Sequence, residues 1–186
     1  MNVASDRPAA APSVVPDRTI VLVGLMGAGK TTVGRRLAAR LDRPFVDADV
    51  EIEAAAGLDI AEIFERHGEP YFRDGERRVI ARLIDGPVQV IATGGGAFVN
   101  GETRALILDR AVAVWLDGDI AMLARRIGRR DHRPLVQGKD PAIVLAALAA
   151  QRNPFYAEAH VRVLVADGPP DRTVDAIIEA MALHRR

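Results

Sequence analysis

The sequence contains no cysteine. Disulfide staples and thiolate metal sites are therefore excluded, and the fold must be held by its core. Aromatic residues make up only 4% of the chain, too few for the stacking platforms that hold single-stranded nucleic acid. Neither sign of charge is in excess, since 25 Lys and Arg face 25 Asp and Glu. A balanced chain gives no bulk attraction for DNA or RNA, so no nucleic-acid partner is expected. No apolar run approaches the ~18 residues that span a bilayer, and no membrane partner is expected. The histidines (His67, His132, His160 and His184) are scattered without ligand spacing, so no histidine metal site is assigned. The first 17 residues are rich in Ala and Pro. They lack the basic start and apolar core of a signal peptide, and are expected to form a disordered tail. Residues 18–186 suffice for one domain with a sizeable core. A cytoplasmic monomer is the expected state.

What is present is an alternation of apolar runs and helical patterns. Strands are expected at Thr19 to Val23, Pro44 to Asp47, Val88 to Ala92, Ala111 to Leu116 and Val161 to Val165. Between the first two, Val33, Leu37 and Leu41 share a helical face over Lys30 to Leu41. A helical region runs from about Val50 to Leu83, interrupted at Gly57 and at Gly68-Glu69-Pro70. Asp59 with Glu62 suits a capping box inside it. Asp119 to Ile127 is amphipathic. Residues 129–140 have no apolar period and read as an exposed loop. Pro141 to about His160 reads as a long helix that bends or breaks near Pro154, and Val174, Ile177, Ile178 and Met181 mark a closing helix. Strands alternating with helices imply a parallel sheet covered on both faces, the α/β layered class.

The chemistry concentrates after the strands. Gly24-Leu25-Met26-Gly27-Ala28-Gly29-Lys30-Thr31 fits G-x-x-x-x-G-K-[ST] at every position, after an apolar run and before an amphipathic helix. A loop that wraps phosphate turns its N–H groups inward, which needs glycine. The helix that follows aims its positive end at the same anion. Lys30 can reach the β- and γ-phosphates, and the Thr31 hydroxyl can ligate Mg²⁺. The loop therefore holds ATP or GTP.

Three clusters address where the phosphoryl group goes. Asp47 and Asp49 close the second strand, where residues two apart share a face. One could serve a metal shell and the other could orient an acceptor hydroxyl. Arg73 follows Phe72, and Glu76, one turn on, could lock its guanidinium. Thr93-Gly94-Gly95-Gly96 after the third strand makes sense where backbone must approach a ligand closely. Arg133, before Pro134-Leu135 in the exposed loop, suits a lid closing on phosphates. Arg152 is a further anion contact. Two arginines and a hydroxyl-binding Asp suggest a small carboxylated polyol.

These residues resemble the shikimate kinase family over about Arg18 to Met181. The resemblance rests on GLMGAGKTT, the DAD of FVDADVEIE, EIFERHGEPYFRDGE, ATGGGAF, RPL and RNPFY, in order. It implies ATP-dependent phosphorylation of the 3-hydroxyl of shikimate, on a five-stranded parallel sheet of order 2-3-1-4-5 with a lid near 129–140. The implied nucleotide contacts are Gly27, Ala28, Gly29, Lys30, Thr31 and Thr32. Asp47 would support Mg²⁺ with Thr31, and Asp49 would bind shikimate hydroxyls. Arg73 and Arg152 would take the carboxylate, Gly94, Gly95 and Gly96 would line the site, and Phe64 and Phe72 would wall it. Arg133 would touch both phosphates and substrate. The adenine-stacking arginine falls on Arg126 counted back from Arg133, or on Arg125 counted forward from the phosphate loop. Asp167-Gly168-Pro169-Pro170 only loosely matches the family's late adenine loop. Other acceptors (gluconate or a nucleotide), an ATPase switch and an inactive binding module are the rival readings. No NKxD-like guanine motif appears, and the third strand ends in glycines rather than an Asp-Glu pair.

Overall fold

The computed structural model describes residues 17–128 and 140–184. The expected tail, apart from Asp17, lies outside these residues. So does the expected lid with Arg133, apart from Asp140.

Five parallel strands form one sheet: β1 (Ile20–Val23), β2 (Phe45–Asp47), β3 (Val90–Ala92), β4 (Val112–Gly118) and β5 (Val161–Val165). Their order is β2-β3-β1-β4-β5, as the resemblance implied. β1 is central, with Ile20 opposite Val90 on one side and Val112 on the other. Its residues IVLV are all buried, because a parallel strand covered on both faces needs an unbroken apolar run rather than an alternating one. The edge strand β5 alternates instead, turning Arg162 and Leu164 to solvent.

Seven helices lie among the described residues: α1 (Lys30–Arg40), α2 (Ala48–Ala56), α3 (Ile60–Ile84), α4 (Gly101–Arg110), α5 (Ile120–Gly128), α6 (Pro141–Tyr156) and α7 (Pro170–His184). α1 lies against α7 and β3, α2 against α3, and α5 against α6. The expected interruptions are present. Gly57 caps α2 with a left-handed φ of 67°, and Gly68 kinks α3 at φ 80° and ψ 172°. Asp59 and Glu62 form the capping box in both directions. None of the helices is long and apolar enough to cross a membrane among the described residues.

Two expectations need correction. α6 breaks just past Pro154, as expected, but stops at Tyr156 and does not reach His160. Pro154 sits in its last turn, where the missing N–H costs one hydrogen bond and the helix has only two residues left to run. α4 was absent from the strand-and-helix pattern. Its apolar residues Ala105 to Leu108 form a block, and only Thr103 and Ile107 are buried along it. The signal that marks it is Asn100, whose side chain accepts from Thr103 N at 3.0 Å as the N-cap. Asp140 ends the expected loop as the N-cap of α6, which starts at Pro141 as expected, and accepts from Ala142 N at 2.8 Å.

β1, β2 and β3 deliver their carboxyl ends to one edge of the sheet. The phosphate loop, the Asp47 turn and the triple-glycine turn emerge there side by side. The chain order reverses between β3, β1 and β4, and such a switch point opens the crevice where α/β folds bind ligands.

Candidate active site

α1 differs from its neighbours at its start. α2, α3, α4 and α6 are each capped by a side chain: Asp47, Asp59, Asn100 and Asp140. α1 begins on Gly29 in the left-handed region, with no side-chain cap and no acid in its first turn. The start of α1 is thus a place where the helix dipole favours an external anion. The Lys30 ammonium folds back over the loop and donates to the carbonyls of Gly24 and Leu25 at 2.9 and 3.0 Å.

The Thr31 hydroxyl donates to Asp47 Oδ2 at 2.8 Å. The other oxygen of Asp47 accepts from the Asp49 amide at 3.2 Å. The strand argument for this Asp pair is therefore corrected. The chain leaves β2 at Asp47, and Asp49 stands in the first turn of α2. The helix cap, not the pleat, brings the two carboxylates together. Asp49 is harder to ionise than an ordinary carboxyl because burial and the neighbouring Asp47 charge raise its pKa, while Lys30 pulls the other way.

Arg73 is oriented as expected. Its Nη1 donates to Glu76 Oε2 at 2.7 Å and its Nε to Glu69 Oε1 at 3.2 Å. The Glu76 side chain is only 2% exposed, so its position is set by packing. Burial raises the Glu76 pKa, against the pull of Arg73. Burial also works against the Arg73 charge, but Glu76 and Glu69 outweigh it and hold the guanidinium cationic. A pair so buried fixes geometry more than it stabilises the fold.

The triple-glycine turn explains itself once these side chains are in place. A Cβ on Gly94 would stand 2.7 Å from Asp49 Oδ1, one on Gly95 3.0 Å from Arg152 Nη1, and one on Gly96 2.5 Å from Arg73 Nη2. Three consecutive glycines thus admit three polar side chains in turn. Thr93 anchors the turn through its hydroxyl, which donates to Leu22 O in β1 at 3.0 Å. Arg104 on α4, which the sequence reading did not single out, holds the exit by donating to Phe98 O and Val99 O at 3.2 and 3.0 Å.

Two cavities meet at this turn. One, of about 490 Å³, is lined by the phosphate loop from Gly27 through Thr32, by Asp47, Asp49, Gly94 and Gly95, and by Arg126. The other, of about 680 Å³, includes Arg73, Gly96 and Arg152. Arg126 reaches Ala166 O at 3.0 Å, and Ala166, Gly168 and Pro170 line the same cavity. Arg125 turns to Asp167 at 2.6 Å. Of the two adjacent arginines that sequence counting left open, Arg126 lines this cavity and Arg125 does not. Phe64 and Phe72 pair with ring centroids 4.6 Å apart, and the Arg73 guanidinium lies 5.1 Å from the Phe72 centroid. Neither ring lines either cavity among the described residues; Phe72 is buried beside Arg73, and Phe64, its ring partner, is exposed.

A phosphate loop on this sheet, opening through a glycine turn onto a second cavity with paired arginines, defines an ATP-dependent small-molecule kinase of the P-loop fold. Residues 26–182 match the model of the family described as Shikimate kinase, and the chain belongs to that family. It is 63% identical over 164 residues to a shikimate kinase of Caulobacter vibrioides (strain NA1000 / CB15N), covering 88% of this chain and 82% of that protein. It is 55% identical over 172 residues to one from Bradyrhizobium diazoefficiens, covering 92% and 83%. The solved structure of shikimate kinase from Acinetobacter baumannii in complex with shikimate matches with a TM-score of 0.81 and 39% identity, over 87% of this chain and 91% of that one. A gluconokinase from Sinorhizobium meliloti 1021 matches with a TM-score of 0.63 and 20% identity, over 90% and 93%, which is a likeness of fold alone.

Proposed function

We propose that this protein transfers the γ-phosphoryl group of ATP to the 3-hydroxyl of shikimate, giving shikimate 3-phosphate and ADP on the route to chorismate and the aromatic amino acids. The observation that carries the reading is the triple-glycine turn, against which Asp49, Arg152 and Arg73 stand in sequence between the two cavities. A rigid acceptor with hydroxyls at one end and a carboxylate at the other matches that row of groups.

In this reading the amides from Gly27 to Thr32 hold the phosphates and Arg126 flanks the adenine. Arg73 and Arg152 take the carboxylate by charge-assisted hydrogen bonds. Gly94, Gly95 and Gly96 form the floor, and Phe64 and Phe72 support the acceptor side. Asp49 accepts the hydrogen bond of the attacking hydroxyl and takes its proton as the oxygen–phosphorus bond forms. Its raised pKa moves it towards the range useful for a general base. Lys30 and Arg133 offset the charge on the transferring group, the main demand of a loose in-line transfer with no covalent enzyme intermediate.

Thr31 and Asp47 offer hard oxygen donors side by side, which suits Mg²⁺. No group of three or more His, Cys, Asp or Glu ligands occurs among the described residues, in keeping with an ion that takes most of its shell from phosphate and water. When bound, Mg²⁺ supplies charge neutralisation and alignment of the phosphates.

The test is ADP release with shikimate, gluconate, a nucleoside monophosphate or no acceptor. Release is expected with shikimate and at background rate otherwise. Acceptor-independent hydrolysis, or a preference for gluconate, would overturn the assignment.

A further inference from the structure

We propose that Tyr156 is a positioning residue for the acceptor, acting through Arg152 and through the carbonyl of Gly95. This rests on the functional reading above, in which Arg152 holds the carboxylate.

Tyr156 ends α6, one helical turn after Arg152, so the two side chains share a face. Its hydroxyl donates to Gly95 O. The Arg152 guanidinium lies beside it: Arg152 Nη1 and the phenol oxygen flank Gly95, 3.0 and 3.8 Å from where a Cβ there would stand, and burial raises the Tyr156 pKa against the pull of the Arg152 charge. Tyr156 itself is 1% exposed and lines neither cavity. It therefore has no direct route to a substrate, and any effect on the reaction passes through its two partners.

A purely packing role would not need the hydroxyl. Burying a phenol oxygen costs free energy that a phenylalanine avoids, unless the oxygen is fully partnered. Here the hydroxyl donates to Gly95 O and Arg152 stands beside it at the same glycine, and both neighbours belong to the site. A Cβ on Gly95 would lie 3.0 Å from Arg152 Nη1, 3.7 Å from Gly24 O and 3.8 Å from the Tyr156 oxygen. This is the point where the phosphate loop, the glycine turn and α6 converge, midway between the two cavities. By gripping Gly95 and Arg152 together, Tyr156 sets how far the carboxylate end of the acceptor stands from the phosphate loop. Its ring centroid is 6.0 Å from that of Trp115, the one tryptophan of the chain, so indole fluorescence offers a local readout.

The experiment compares wild type, Tyr156→Phe, Arg152→Ala and the double variant. For each, KM for shikimate and for ATP, kcat and Tm are measured, with shikimate binding followed by Trp115 fluorescence where turnover is too slow. Tyr156→Phe keeps the ring and removes only the hydroxyl. It is expected to weaken shikimate binding roughly tenfold, with KM for ATP changed less than about twofold and a clearly smaller further loss when added to Arg152→Ala, the part that Gly95 carries alone. An unchanged shikimate affinity would overturn the inference, as would an equal loss for both substrates with a lowered Tm. Full additivity with Arg152→Ala would overturn it too, because Tyr156 would then not act through Arg152. Failure of this inference leaves wild-type turnover of shikimate intact, whereas absence of that turnover overturns the functional reading and this inference together.

Discussion

The site contains two glycine-rich turns, and their glycines are there for different reasons. In the phosphate loop the backbone itself is unusual. Gly24, Gly27 and Gly29 have φ of 135°, 83° and 88°. Around Gly29 there is room, since a Cβ there would find only Val33 Cγ2 at 3.7 Å. At Gly29 what forbids a side chain is conformation alone, whereas a Cβ on Gly24 would also stand 2.6 Å from Leu116 O and one on Gly27 3.2 Å from Ile127 Cγ1. In the triple-glycine turn no φ is left-handed, and what forbids a side chain is the company: Asp49, Arg152 and Arg73 lie where the Cβ atoms would be. One loop binds with its backbone, so its shape is encoded locally. The other makes room for functional groups that arrive from α2, α3 and α6.

The largest effect on this contrast is expected from Asp49→Asn, which keeps the contact with Gly94 and removes the proton acceptor. Turnover should fall by about 10²–10⁴ with KM for ATP little changed, as steady-state kinetics would read. The same variant should gain stability at neutral pH. The folded state holds the Asp49 proton more tightly than the unfolded chain, whose value is near 3.8. Stability therefore falls as pH rises from there through the raised folded value, and stays lower above it. Asparagine removes this loss, so its Tm should exceed that of wild type at pH 7, and the gap should narrow as pH falls towards the unfolded value. A Tm gap that widens in acid would show that Asp49 is stabilised as an anion.

A smaller effect is expected from Gly96→Ala. Its Cβ would displace Arg73 Nη2 from 2.5 Å, raising KM for shikimate roughly 10–100-fold with KM for ATP unaffected. In an Arg73→Ala background the clash is gone and the substitution should add little. An undiminished second loss would mean that the glycine serves the backbone after all.

Gly29→Ala should have the smallest effect and the opposite pattern. It costs about 1–2 kcal/mol of backbone strain, read as a lowered Tm and a raised KM for ATP. Truncating Val33 should bring no relief, while Gly29→Asn should cost less, because asparagine tolerates the left-handed region. Relief on truncating Val33 would erase the distinction between the two turns.

Legibility in the sequence follows the same division. The phosphate loop, the capping box at Asp59 and the glycine C-cap of α2 were readable because each depends on a few consecutive residues. The Glu76 lock on Arg73 was readable because helical spacing makes it. The Asp47 and Asp49 pair was recognised for the wrong geometric reason, since nothing in the local pattern says that the strand ends at Asp47. α4 was missed because its apolar residues cluster instead of striping. The importance of the RNPFY segment was visible, but not the role of Tyr156, whose partner Gly95 lies far away in the chain.

By itself, the sequence determined the layered parallel fold, the phosphate loop and the residue types of the acceptor site. Each of these follows from short-range rules of periodicity, capping and backbone freedom. Only the tertiary structure decided which side chain meets which glycine, which of two adjacent arginines lines the cavity at the phosphate loop, and which buried hydroxyl meets Gly95 O. Those are distances between chain segments far apart in sequence, fixed by the packing of α2, α3, α5 and α6 around the ends of β1 and β3.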